Sequence, residues 1–126
     1  MSTIKATTLS TQSNATVSID TVVNGTAKAW VNFNGTGTVA IRASFNVSSI
    51  TDNGTGDYTV NFTAAMPDAN YAMTSAGIYL TTDSNYKLTF APVTNPATTS
   101  SVRVVSTSAS GNALLDCVIN CVSIFR

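Results

Sequence analysis

Two groups of residues in this chain have types and spacing that could do chemistry. The first is Asp52-Asn53-Gly54-Thr55-Gly56-Asp57, two carboxylates around two glycines. An EF-hand calcium loop needs oxygen ligands at its first, third and fifth positions, glycine at the sixth and a bidentate glutamate at the twelfth. Counted from Asp52, the third and fifth positions are Gly54 and Gly56, the sixth is Asp57 and the twelfth is Thr63. The spacing fails as calcium. A glycosidase pair would place Asp52 and Asp57 at ~5 Å or ~6.5–9.5 Å across the scissile bond. One of them would also have to be buried so that its pKa rises above the other's, and an exposed loop gives no such burial. The stretch reads as a hairpin turn, in which glycines take positive φ and Asn and Asp bond their own backbone.

The second group is Cys117 and Cys121. On an extended strand, four residues at ~3.3 Å each separate them by ~13 Å, whereas a disulfide needs Cα atoms within ~7 Å. The chain contains no histidine, so neither a Cys2His2 zinc site nor a Cys–His nucleophile is available. Both thiols are expected to be reduced, buried and inert. Trp30, Tyr58, Tyr71, Tyr79 and Tyr86 are aromatics that could stack on sugar rings, but strand aromatics more often pack in the core or across strands. Tyr86 is the exception, because it follows the polar run Thr81-Thr82-Asp83-Ser84-Asn85. Asp83, Asn85 and Tyr86 are therefore the receptor-binding candidates. No catalytic residue, metal ligand or cofactor is assigned.

The elements that would hold these residues are strands. Ala29, Val31 and Phe33 share one face of KAWVNF while Trp30 and Asn32 take the other. The same alternation marks Val17 and Ile19; Val39, Ile41, Ala43 and Phe45; and Tyr58, Val60, Phe62 and Ala64. Further runs are NYAMTSAGIYL, YKLTF, SVRVV and ALLDCVINCVSIF, separated by turn signals such as Asn34-Gly35, Asn53-Gly54 and Met66-Pro67-Asp68. Short strands at regular intervals predict an all-β, antiparallel β-sandwich, jelly-roll-like or barrel-like. Residues 1–13, rich in Thr and Ser, are expected to form a short N-terminal arm that orders on assembly, and residues 14–126 one sandwich domain.

The chain has 126 residues, with 6 basic and 6 acidic side chains and none of the acids a glutamate. A domain of this size buries roughly two-thirds of its unfolded surface, enough for a core without staples. The scattered Lys5, Lys28, Arg42, Lys87, Arg103 and Arg126 do not make the basic cluster that nucleic-acid binding requires. No apolar run approaches the ~20 residues of a membrane span, and MSTIKATTLS lacks the apolar core of a signal peptide. The expectation is a soluble protein made in a cytoplasm, with its Asn-x-Ser/Thr sequences arising from composition.

The final segment is apolar on both faces. Leu115, Cys117, Ile119, Cys121 and Phe125 lie on one, and Leu114, Val118, Val122 and Ile124 on the other. A strand of this kind is normally covered on both sides, which makes Val118, Val122 and Ile124 candidates for a subunit interface.

Residues Gly25 to Met73, about two-fifths of the chain, carry KAWVNFNGTGT, SFNVSSITDNGTGDYTVNF and MPDANY. This stretch closely resembles a module of tail-fibre and related virion proteins of tailed bacteriophages and prophages. The resemblance implies a β-structured fibre tip, a homotrimer, and a virion component assembled in the host cytoplasm alongside other tail or head proteins. It also implies contact with a host-surface polysaccharide or protein. Two dozen residues of this sequence precede the module, and the expected forms are a short fibre, an adaptor-bound subunit or a head decoration protein. A polysaccharide depolymerase is a third reading, disfavoured by the lack of glutamate.

Overall fold

The computed structural model describes residues 3, 5–79, 87–90, 97–108 and 113–126. The chain opens with a hairpin of β1 (Thr8–Ser10) and β2 (Thr16–Ser18), followed by the helix α1 (Ile19–Gly25). Ser18 caps that helix, its Oγ accepting from Thr21 N at 3.0 Å, so the alternation at Val17 and Ile19 yields a strand of three residues and then a turn into helix. Thr8 pairs with Ser18 and Ser10 with Thr16. The expected arm boundary at residue 13 therefore falls inside a hairpin, and the N-terminal unit runs to Gly25.

The remainder is a two-layer antiparallel sandwich. One sheet has the order β4 (Ala40–Phe45), β3 (Ala29–Asn34), β10 (Ile119–Phe125), β7 (Ala72–Ile78). The other has the order β5 (Val47–Gly54), β6 (Asp57–Phe62), β9 (Ser101–Thr107), β8 (Lys87–Phe90). The all-β expectation holds, with two separate sheets and no closed barrel among the described strands. None of the described helices is long and apolar enough to cross a membrane.

The period-2 pattern sets which side chains enter the space between the sheets. Ala29, Val31 and Phe33 of β3 and Val122 and Ile124 of β10 face Tyr58, Val60 and Phe62 of β6 and Val102 and Val104 of β9. Phe33 meets Tyr58 edge-on across the layers at a centroid distance of 5.1 Å, a favoured aromatic geometry. Strand β4 departs from the single face expected for Val39, Ile41, Ala43 and Phe45. A register shift opposite Asn32 and Phe33 sets Ile41 opposite the inward Phe33 and Phe45 opposite the outward Trp30. A β-bulge inserts one residue and so reverses every side chain beyond it.

The chain passes from the first sheet to the second through one residue, Asn46, at φ 53°. Asparagine tolerates this left-handed conformation better than most residues, and its amide fastens the corner. Nδ2 donates to the carbonyls of Lys28 and Ala64 at 3.0 and 3.1 Å, and Oδ1 accepts from Ala64 N at 2.7 Å. The corner thereby ties the start of β3 and the end of β6 to the strand crossover.

Candidate functional site: an apolar outer sheet face

The hairpin Asp52–Asp57 is a turn whose polar atoms are committed to structure. Asp52 Oδ1 accepts from Gly54 N at 2.9 Å, and Gly54 and Gly56 both have positive φ, 129° and 63°. Asp57 is held in a two-point ion pair, with Arg103 Nε donating to Oδ1 at 2.7 Å and Nη2 to Oδ2 at 2.5 Å. The hydrogen-bonded guanidinium holds the Asp57 carboxyl below the usual carboxylate range. That keeps it ionised, the opposite of what a general acid requires.

A third acid, Asp116, anchors this turn, and sequence reasoning had not singled it out. Its Oδ1 accepts from Gly56 N at 2.7 Å and from Tyr58 Oη at 2.8 Å. Tyr58 Oη also lies 3.1 Å from Gly35 O. Burial first, and then the neighbouring Asp116 carboxylate, push the Tyr58 phenol well above its ordinary pKa. Beside it, Ser106 Oγ and Cys117 Sγ touch at 2.7 Å within the interior, and Asn120 Nδ2 donates to Cys117 O at 2.9 Å. The cluster joins three loops at one end of the sandwich and holds them closed.

Cys117 and Cys121 are both free thiols, but they do not share a face as expected. Strand β10 begins only at Ile119, and the segment before it bends, so Cys117 turns inward to Ser106 while Cys121 points out of the sheet. Burial pushes the Cys117 thiol up, so it is a poor nucleophile at neutral pH. Tyr58 and Tyr71 are core residues, each with its hydroxyl bonded. Asp83, Asn85 and Tyr86 lie outside the described residues.

The interface candidates need correction. Val122 and Ile124 are each 1% exposed and sit in the chain's own core, because β10 is the central partner of both β3 and β7 and its inner face meets the second sheet. Their burial requires no second copy. Val118 precedes the strand and is half-buried. Within this segment Leu114 is exposed, and the outward residues of β10, Ile119, Cys121 and Phe125, are half-buried.

Directly opposite residues of antiparallel strands share a face, so the register defines the outer surface of the first sheet. One row reads Phe45, Trp30, Ser123, Thr74, and the next reads Ala43, Asn32, Cys121, Ala76. Phe125 pairs with Ala72, and Ile119 with Ile78. These strand positions include no acid and no base. Trp30 is 40% exposed and Phe45 56%. Arg42, in the bulge, reaches over to Asn32 Oδ1 at 3.4 Å.

The outer surface of the second sheet is the reverse. Asn61 Nδ2 donates to Ser49 Oγ and Thr51 Oγ1 at 3.1 and 2.9 Å, and Asn53 Nδ2 to Thr59 Oγ1 at 2.9 Å. The Asp57–Arg103 pair lies in the same surface. This is a bonded carpet of amides and hydroxyls suited to water. In an antiparallel sandwich outward positions are normally polar; here Trp30, Phe45 and Ile78 stand exposed on the outer face among Asn32, Thr74 and Ser123. The signal was present in KAWVNF, where the position opposite the core face is a tryptophan.

Where β3 begins, a groove of about 440 Å³ adjoins this face, lined by Ala27, Lys28, Phe45, Ala65, Met66, Pro67 and Arg126 among others. Its floor is apolar, with two cations at the rim. Arg126 forms a two-point pair with Asp68, at 2.9 and 2.5 Å. Compared with family models, with characterised proteins and with solved structures, the chain finds no match.

Proposed function

We propose that this chain is a structural, non-enzymatic subunit of a tailed-bacteriophage particle, a homotrimer at a short tail fibre or fibre tip that contacts the host surface. The observation that carries the reading is the contrast between the two outer faces. One is a hydrogen-bonded polar carpet; the other has Trp30 and Phe45 exposed beside the half-buried Ile119, Cys121 and Phe125, with the charge of Arg42 reaching over Asn32. The largest exposed apolar patch of a soluble protein is often a contact site. Three copies related by a closed rotation would cover it on each without open-ended growth.

The resemblance of Gly25–Met73 to tail-fibre modules supports the same reading, since these residues supply β3 through the start of β7 and with them Trp30, Phe45 and the sheet-crossing corner at Asn46. The committed roles of Asp57 and Asp116 support a structural rather than a hydrolytic part for the carboxylates. Two measurements test the proposal. The mass in solution should be three times that of the chain, and the isolated protein should bind host cells. A trimer that ignores host cells but raises the heat resistance of capsids would instead be a head decoration protein. Release of reducing sugar from host polysaccharide would make it a depolymerase.

A further inference from the structure

We propose that the N-terminal unit of one copy, β1–β2–α1, docks in the groove between Phe45 and Met66 of a neighbouring copy; this rests on the reading of the chain as a self-associating subunit. The unit has no core of its own. None of the helix is buried, both strands are exposed along their length, and Leu9 and Val23 are each 50% exposed. A two-stranded hairpin is marginal in water, and a helix of this length falls short of the ~12–15 residues that stand alone. Such a unit persists by packing against something.

Three observations point to a second copy's groove. The first is chemistry. The groove floor is Ala27, Phe45, Ala65, Met66 and Pro67, a match for Leu9, Val17, Val22 and Val23. The second is charge. Lys28 and Arg126 stand at the rim, bonded within the chain to Val23 O and to Asp68, and the first twenty-five residues bring one acid, Asp20 in the first turn of α1, together with Lys5.

The third is area. Four strands ~4.8 Å apart and about seven residues long present a flat face of roughly 440 Å². A stable interface needs about 800 Å² per partner, so the face alone is small for the task, and an added arm makes up the difference. Thr26, Ala27 and Lys28, which join α1 to β3, themselves form part of the groove wall. A ring whose axis runs along the strands therefore sets all grooves and all arm roots at one end.

The test uses the full chain with Cys121→Ser as background. Val23→Cys and Ala65→Cys are made in separate, differently tagged copies and co-expressed. The expected result is a covalent dimer of unlike copies on oxidation, absent when Val23→Cys is paired with Thr51→Cys on the polar face. A companion variant, Leu9→Ser with Val23→Ser, should weaken assembly at least tenfold in dissociation concentration. A cross-link that forms only within one chain carrying both cysteines would overturn the exchange. No cross-link in an otherwise intact oligomer would overturn the docking while leaving self-association standing. A monomeric wild type would overturn both.

Discussion

The hydroxyl of Tyr58, on a strand of the second sheet, lies 2.8 Å from Oδ1 of Asp116, on the segment that leads the chain back into the first. That one carboxylate oxygen also receives Gly56 N from the hairpin tip at 2.7 Å. A hydrogen bond to a charged acceptor is worth more than a neutral one, and removing one partner leaves the other without its bond. Tyr58→Phe should therefore cost about 1–2 kcal/mol, and Asp116→Ala about 2–4 kcal/mol because it strands two donors. Urea unfolding monitored by fluorescence checks both. The midpoints should fall in that order with the slope unchanged.

The same cluster makes Gly35 irreplaceable for a steric reason. A Cβ there would stand 2.4 Å from Tyr58 Oη and 2.9 Å from both Asn120 Nδ2 and Cys117 O. The tyrosine is pinned by its own bonds, so the clash has no cheap relief. Gly35→Ala should lose more than about 3 kcal/mol. Gly25→Ala, at the end of α1 with nothing within 4 Å of the new atom, should be neutral or stabilising by up to about 1 kcal/mol. Thermal melts of the two variants separate a packing requirement from a general intolerance of alanine.

The sandwich itself was legible because its buried faces obey strict alternation: Ala29, Val31 and Phe33, and Tyr58, Val60 and Phe62, appear in the sequence as they pack. The hairpin at Asn53-Gly54 was legible from turn chemistry. What was not legible depended on register. The bulge at β4 reverses Phe45 relative to Ile41, and no local pattern marks it. The bend before Ile119 separates Cys117 from Cys121, because the apolar run is longer than the strand it contains. An all-apolar segment says that both faces are covered without saying which face its own chain covers. The pattern alone therefore offers Val122 and Ile124 as interface residues, whereas the second sheet lies over them. Asp116 escaped notice because its partners, Gly56 and Tyr58, are 60 and 58 residues away.

Stability should be flat near neutral pH and fall at both ends. Burial pushes the Tyr71 phenol up to about 12, and Tyr58 is raised further in the same direction. Below the ordinary tyrosine value near ~10, both states hold the proton and the contribution is complete. Above it the unfolded chain ionises first, binds fewer protons than the folded one, and draws the equilibrium toward itself. At the acid end, Asp57 is lowered by Arg103, so its contribution is present above the ordinary aspartate value near ~3.9 and is lost as pH falls through the lower folded value. Tyrosinate absorbance followed through an alkaline titration should show Tyr58 and Tyr71 ionising only with unfolding.

The two faces of the first sheet predict two different failures. Val122→Asp places a carboxylate in the sandwich core, where burying an unpaired charge costs several kcal/mol, and the product should be unfolded or insoluble. Ala76→Asp lies on the outer face of edge strand β7, opposite Cys121, and is exposed within one chain. A single folded copy should tolerate it within about 0.5 kcal/mol. In the proposed assembly the same carboxylate would be buried against the outer face of a neighbouring copy, and the complex should weaken by more than about a hundredfold, equivalent to ~3 kcal/mol. Thr51→Asp, on the polar outer face beside Asn61, supplies the matched control and should leave assembly unchanged. Sedimentation at micromolar concentration distinguishes these outcomes: trimer for the wild type and Thr51→Asp, folded monomer for Ala76→Asp. A wild type that sediments as a monomer, or an Ala76→Asp protein that stays trimeric, would remove the outer face from the interface and the fibre reading with it.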